Sequence, residues 1–329
     1  MKRQKSIFLF LLQVVLFIAP AYAAELVKGP AFTDPSIVQP MPEGWKEQPI
    51  RYDPETGRAD VVVTLDQHLY PLFADYIQKY AARQGIKVRV DEGTCGITAG
   101  KLARKTADIG GFCCPPGEAD RLPGLRFHTV GIMPVAVLVH PDNPVGDIDI
   151  RQARELFSGK FYRWSEIKDL SGRRGRAIRI EAIGRLHCKL RPGHWRLLLD
   201  NEDLFSPNLT EVGTIPDMIS LVARMPGAIG YEVPMMVERY AKQGKVKILR
   251  LNGMAPDAPA LATGRYPLYR TLNLTTWEGK VVENEKAEEL VRHLLKEAER
   301  LEGMYGFVPA ASLKRAGWKF KGDELVGEP

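Results

Sequence analysis

The sequence predicts an α/β fold built on a parallel sheet, and three stretches carry that expectation. Residues 61–112 alternate short β-branched runs with helically spaced apolar residues, the signature of strand–helix–strand units. Within them, residues 91–116, DEGTCGITAGKLARKTADIGGFCCPP, read as strand, turn, helix, strand, turn. Two loops then fall side by side at the carboxyl ends of parallel strands, the edge where open α/β sheets bind ligands. Residues 284–301 form a well-patterned amphipathic helix that would cover such a sheet.

Taken in order, residues 1–23 carry a basic start (Lys2, Arg3, Lys5), an apolar run over 7–18 and the small-residue triplet Ala21-Tyr22-Ala23, the three parts of a secretory signal peptide. The apolar run is interrupted by Gln13 and is too short to span a bilayer comfortably. Residues 24–57 are Pro-rich, without a sustained period, and read as an extended arm packed on the domain. Residues 61–65, VVVTL, are a buried-type strand, and Asp66-Gln67-His68 the turn after it. Over 69–83, Leu69, Leu72, Phe73, Tyr76, Ile77 and Tyr80 fall at helical spacing. Residues 86–90 are the next strand, leading to Gly93-Thr94-Cys95-Gly96. A turn that opens a helix offers free N–H groups and a dipole favouring an anion or a thiolate. Residues 107–112 return as a strand, closed by Cys113-Cys114-Pro115-Pro116.

Residues 127–140, FHTVGIMPVAVLVH, hold Pro134 and no Asp, Glu, Lys or Arg, and form two strands or one bent one. A helix over 150–157, a cap at Trp164-Ser165-Glu166 and a strand over 177–183 follow. That strand ends at Gly184-Arg185-Leu186-His187-Cys188. Residues 194–199 and 216–222 are helical, and 227–231 and 246–251 are strands. Tyr266-Pro267-Leu268-Tyr269 and Leu272-Asn273-Leu274 suggest edge strands.

The 329 residues are 45% hydrophobic and 26% charged, enough for one large or two medium cores. The net charge of +6 falls to +3 without the leader, which carries three cations and no acid. That mild balance argues against a nucleic-acid partner. Arg173, Arg174, Arg176 and Arg179 read as a solvated basic loop. Export places the four Cys in an oxidising compartment, where disulfides are expected.

Several stretches together resemble the phosphate-binding proteins of ABC importers, within the type II periplasmic solute-binding superfamily. They are Leu69-Tyr70-Pro71-Leu72, Thr106-Ala107-Asp108-Ile109-Gly110, the run over 135–145 with its Pro-Asp-Asn-Pro turn, and residues 154–160 followed by Trp164-Ser165-Glu166. Pro226-Gly227-Ala228-Ile229-Gly230-Tyr231 and Tyr266-Pro267-Leu268 complete the set, which covers most of 61–308. The resemblance implies a two-lobed periplasmic-binding-protein-like fold with a hinge. Lobe one would be 58–139 with 245–329, and lobe two 140–244. It also implies a small solute or ion held on three or four loops by Ser and Thr hydroxyls and backbone N–H groups, and an ABC-type permease or other exported assembly as partner.

This sequence departs from that pattern at each loop. Asp66, Gln67 and His68 stand where hydroxyls are expected, and Cys95 takes a Ser position beside Thr94. Cys113 and Cys114 replace a Ser and an Arg, and His187-Cys188-Lys189-Leu190-Arg191-Pro192-Gly193-His194 replaces a Ser-Gly-Thr turn. All four Cys and three His therefore fall on loops of one cleft. Disulfides are one reading: adjacent Cys rarely bridge each other, which leaves Cys95 with one of Cys113 and Cys114, and Cys188 with the other. A soft metal ion is another, on Cys95, Cys113, Cys188 and His187, since thiolate and imidazole suit zinc and copper(I). A third is an oxyanion held by backbone N–H groups, with Arg185, Arg191 and Arg196 as charge partners.

His128, His140 and His293 have no evident nucleophile beside them, and no hydrolytic triad stands out. The expected function is a non-catalytic exported binding protein of the phosphate-binding type with altered ligand preference. The alternatives are a thiol redox or metal-handling protein on the same fold, or a disulfide-locked structural module. N-terminal sequencing of the exported protein is expected to read from Ala24; an intact Met1 on exported material would overturn the leader.

Overall fold

The computed structural model describes residues 32–185, 198–199 and 202–329. The leader over 1–23, the start of the arm and the helix expected over 194–199 fall wholly or mostly outside these.

Strand β1 (Val61–Asp66) is buried at all six positions, as a continuous β-branched run demands of a strand covered on both faces. The chain leaves it through Gln67 and His68 into helix α1 (Leu69–Gln84). Leu69, Leu72, Phe73, Ile77, Tyr80 and Ala81 face the core, and Gly85 stops the helix in the left-handed conformation at φ 65°. Strand β2 (Val88–Gly93) pairs parallel with β1. Helix α2 (Cys95–Ala103) then begins on Thr94, whose hydroxyl accepts the Ile97 N–H. Strand β3 (Ile109–Phe112) returns parallel on the other side of β1.

Two glycines set how closely the helices pack on β3. A Cβ at Gly110 would lie 2.6 Å from Leu102 of α2, and one at Gly111 would lie 2.6 Å from Leu65 and 3.0 Å from Leu69. Only a bare backbone admits that approach, and it brings the residues after β3 against the start of α2.

The first sheet has the order Val308–Pro309, β4 (Leu125–Pro134), Tyr269–Trp277, β3, β1, β2. Tyr269–Trp277 lies inside this sheet, antiparallel to β3 and β4 and buried at all nine positions. It is one central strand, not the edge strands that its polar residues suggest. Those residues have partners within the sheet. Asn273 Nδ2 donates to the Cys114 carbonyl at 3.0 Å, Thr129 Oγ1 donates to Asn273 Oδ1 at 2.8 Å, and Gly110 N–H donates to Thr275 Oγ1 at 2.8 Å.

The second sheet runs Lys247–Ile248, β5 (Ala136–Val139), Ala228–Glu232, Glu181–Arg185, Thr210–Val212. The run over 127–140 is thus two strands in two sheets, joined at Val135. Pro134 has no N–H, so the first ladder ends there. Val135 N–H donates to the Leu268 carbonyl at 2.8 Å, and its own carbonyl accepts from Tyr266 Oη at 2.9 Å. The crossing therefore lies ahead of residue 139, and Lys247–Ile248 still pairs with β5 beyond residue 245.

The described part of the arm packs on lobe one. Trp45 is buried, donates from Nε1 to the Ala103 carbonyl at 2.8 Å and lies 6.0 Å from the Trp277 ring. The Lys105 ammonium sits 4.2 Å over the Trp45 ring and donates to the carbonyls of Trp45, Lys46 and Gln48. Trp45→Ala is expected to lower the unfolding free energy by about 3–5 kcal/mol in urea titration, against a few tenths for exposed Val38→Ala. Equal stability of the two variants would show that the arm contributes nothing.

Candidate functional site

The carboxyl ends of β1, β2 and β3 in lobe one face those of Glu181–Arg185 and Ala228–Glu232 in lobe two. Each strand end delivers a polar or thiol side chain: Asp66 from β1, Cys95 just past β2, Cys113 and Cys114 just past β3, Arg185 and Glu232 from lobe two. Arg270 comes from the start of Tyr269–Trp277, which runs antiparallel and so begins at the same edge.

Glu232 is the meeting point. Its Oε1 lies 2.8 Å from His68 Nε2 and 3.3 Å from Arg270 Nη2, both from lobe one, and accepts the Val233 N–H at 2.8 Å. Its Oε2 lies 3.7 Å from Arg185 Nη1. Arg185 in turn donates to Gln67 Oε1 at 3.0 Å across the lobes. The other ring nitrogen of His68 lies 2.9 Å from Asp66 Oδ2, and Asp66 Oδ1 accepts the Leu69 N–H at 3.1 Å, capping α1. With both carboxylates ionised, the imidazole satisfies them only by donating from both nitrogens.

Asp66, His68, Arg185, Glu232 and Arg270 are all at most 2% exposed. Burial opposes the charged form of Glu232. The charges of Arg270, His68 and Arg185 overcome it and hold the carboxyl well below its ordinary value. Burial opposes that of Asp66 as well, and His68, with hydrogen bonds from Cys113 and the Leu69 N–H, still holds it low.

The three described thiols lie beside this network. Cys95 Sγ is 3.4 Å from Cys113 Sγ and 3.8 Å from Cys114 Sγ, and the last two are 3.9 Å apart. All three are buried. Cys113 N–H donates to Cys95 Sγ at 3.4 Å, and Arg270 Nη1 approaches Cys113 Sγ at 3.8 Å. The Cys113 contact favours a Cys95 thiolate, but Cys114, burial and the Asp66 charge outweigh it and push the thiol well up. For Cys113 the Cys114 contact pulls down, and Cys95, burial and Asp66 push it up on balance.

The sequence-derived candidates Asp66, Gln67, His68, Cys95, Cys113, Cys114 and Arg185 meet in this one region. Thr94 borders it, its hydroxyl oxygen accepting from the Ile97 N–H at 3.2 Å. His187, Cys188, Arg191, His194 and Arg196 lie outside the described residues, and with them the Cys188 bridge and the four-ligand set containing Cys188 and His187. Sequence reasoning missed Glu232 and Arg270. Both had a signal: each is a lone charge inside a strand of otherwise uncharged residues, a position that demands a buried partner of opposite sign.

Residues 52–295 match the family model of the PBP superfamily domain. The phosphate-binding protein PstS of Bacillus subtilis (strain 168) is 25% identical over 219 residues, 65% of this chain and 69% of its own length. An ABC-type phosphate transport receptor from Vibrio cholerae has a similar structure, with a TM-score of 0.59 at 18% identity over 76% of this chain and 99% of its own. PstS from Borrelia burgdorferi has a TM-score of 0.51 at 14% identity, over 76% and 98% respectively. These two structures share the fold. No helix among the described residues is long and apolar enough to cross a membrane.

The network dictates an acid response. Asp66 and Glu232 are held below their ordinary values of 3.8 and 4.5. Their contribution is complete above those values and is lost as the pH falls through the lower folded ones. Glu232→Gln is expected to cost about 3–5 kcal/mol at neutral pH, because it leaves buried cations unmatched. Its melting temperature should also fall less steeply with acid than the wild type does. Parallel acid limbs in the two proteins would remove Glu232 from the titration.

Proposed function

The chain belongs to the PBP superfamily, and from that premise we propose that it is an exported, non-catalytic solute-binding protein of the phosphate-binding type whose cleft no longer takes ordinary phosphate. One observation carries the reading: the Glu232 carboxylate occupies the point between the lobes where Arg185, Arg270 and His68 converge. An internal anion already occupies the place where an external oxyanion would meet these cations, in a position closed to solvent. Most of the hydroxyls expected on the loops are replaced as well. Asp66 would repel an anion, and sulfur stands at Cys95 beside the one hydroxyl that remains, that of Thr94. Each buried polar group left unmatched costs roughly 1–3 kcal/mol, so two or three losses weaken a phosphate complex by orders of magnitude.

The export reading rests on the leader, and the transport reading on the family. The partner would be an ABC-type permease or another exported assembly, and the ligand a small solute or ion. Isothermal titration with inorganic phosphate is expected to show binding weaker than micromolar. Glu232→Gln should bind phosphate more tightly than the wild type, because the internal competitor has lost its charge. Micromolar or tighter binding by the wild type would overturn the exchange of ligand.

A further inference from the structure

Three thiol sulfurs converge on one point in lobe one. Cys95 is the first residue of α2, and Cys113 and Cys114 leave β3 directly after the glycine pair that lets α1 and α2 close on that strand. Their positions are fixed through the backbone. Cys113 N–H points at Cys95 Sγ, and the Cys114 carbonyl is held by Asn273 Nδ2 from the neighbouring central strand. A triangle with sulfur separations of 3.4, 3.8 and 3.9 Å has its centre about 2.1 Å from each corner. A zinc ion at the usual distance of about 2.3 Å from thiolate sulfur then sits roughly 0.8 Å out of the sulfur plane. That is its height above one face of a regular tetrahedron, so the three sulfurs already stand as three corners of a tetrahedral site.

We propose that Cys95, Cys113 and Cys114 bind Zn2+ as a three-thiolate site within lobe one. The proposal deepens the reading of an exchanged ligand by naming the ligand's class, and it rests on that reading. Sulfur-only donors exclude hard cations such as Mg2+ and Ca2+, which take oxygen. Asp66 and His68 are also close to Cys113, but both nitrogens of His68 are engaged by Asp66 and Glu232, which leaves the thiols as the ligands.

Charge separates zinc from copper(I). Three thiolates with Zn2+ carry one net negative charge, which the Arg270 guanidinium at Cys113 and the N-terminal end of α2 can balance. With Cu+ the net charge is one more negative, beside the Asp66 carboxylate. Uptake involves no redox step: three S–H protons leave to solvent as three sulfur–metal bonds form.

The test uses the full exported chain, reduced and stripped of metal with a chelator. One equivalent of Co2+ should give the thiolate charge-transfer band and the intense visible bands of a tetrahedral sulfur site, and Zn2+ should displace it. X-ray absorption on the zinc-loaded wild type should find at least three sulfurs at about 2.3 Å. Cys95→Ser and Cys114→Ser should each weaken zinc by on the order of 100-fold or more, with the far-UV circular dichroism of the wild type. A first shell with fewer than three sulfurs, uptake of Cu+ without Co2+ or Zn2+, or zinc binding unchanged by Cys95→Ser would each overturn the site. The absorption measurement needs no variant, so a substitution that fails to fold leaves the proposal open to refutation. Phosphate titration of the same preparation separates the two readings: tight phosphate binding counts against the exchanged ligand even where the sulfur shell is found.

Discussion

A carboxylate with no access to water must be surrounded by cations, and Glu232 obtains them from both halves of the molecule. Two of its three charged neighbours, His68 and Arg270, belong to lobe one, and the third, Arg185, belongs to its own lobe. The requirement is steep, because an ion taken from water without partners costs several kcal/mol even after relaxation. The apposition of the two sheet edges follows from it. His68 and Arg270 reach Glu232 only while the two lobes are apposed; Arg185 belongs to its own lobe.

The same residues tie the ion network to the thiols. Arg270 reaches Glu232 with Nη2 and Cys113 with Nη1. Asp66 holds His68 on one side and the Cys113 thiol on the other. No charge in this region can change without altering the electrostatics of its neighbours, since the low dielectric of a closed site leaves them unscreened. The cleft therefore behaves as one unit, in which loops from β1 and β3 and two strand ends of lobe two share a single set of partners.

How far the sequence disclosed this arrangement depended on which signals are local. Periodicity located β1, α1 and the amphipathic helix near the C-terminus, because burial on one or both faces is written into residue order. The placement of Asp66, Cys95, Cys113 and Cys114 on adjacent loops followed from the strand–helix–strand pattern, which sends every strand end to one edge. Tyr269–Trp277 was not legible as a central strand, because Arg270, Asn273 and Thr275 make it look exposed. Their partners Glu232, Cys114, Thr129 and Gly110 lie on other strands and loops, distant in the sequence. Glu232 directly follows the Gly-Ala-Ile-Gly-Tyr run and was hidden for the same reason: its meaning lies in His68 and Arg270, which sequence spacing does not connect to it. The crossing at Val135 was marked only by Pro134, since the apolar residues on either side of it suit either sheet.

A scaffold that matches phosphate receptors does not carry their ligand with it, because ligand choice is made by a few loop side chains and the fold by hundreds of contacts elsewhere. Cys95 shows how such a loop is built. The loop still enters a helix N-terminus, and Thr94 still caps it. The group presented at the start of that helix is now a thiol, receiving the Cys113 N–H and lying against two further thiols. The loop thus presents sulfur at a helix N-terminus, a position whose backbone N–H groups can also suit an oxyanion. A sulfur is larger, less basic toward hydrogen-bond donors and far more polarisable than a hydroxyl oxygen. Under the proposed reading, that difference turns these loops toward a soft cation and away from an oxyanion.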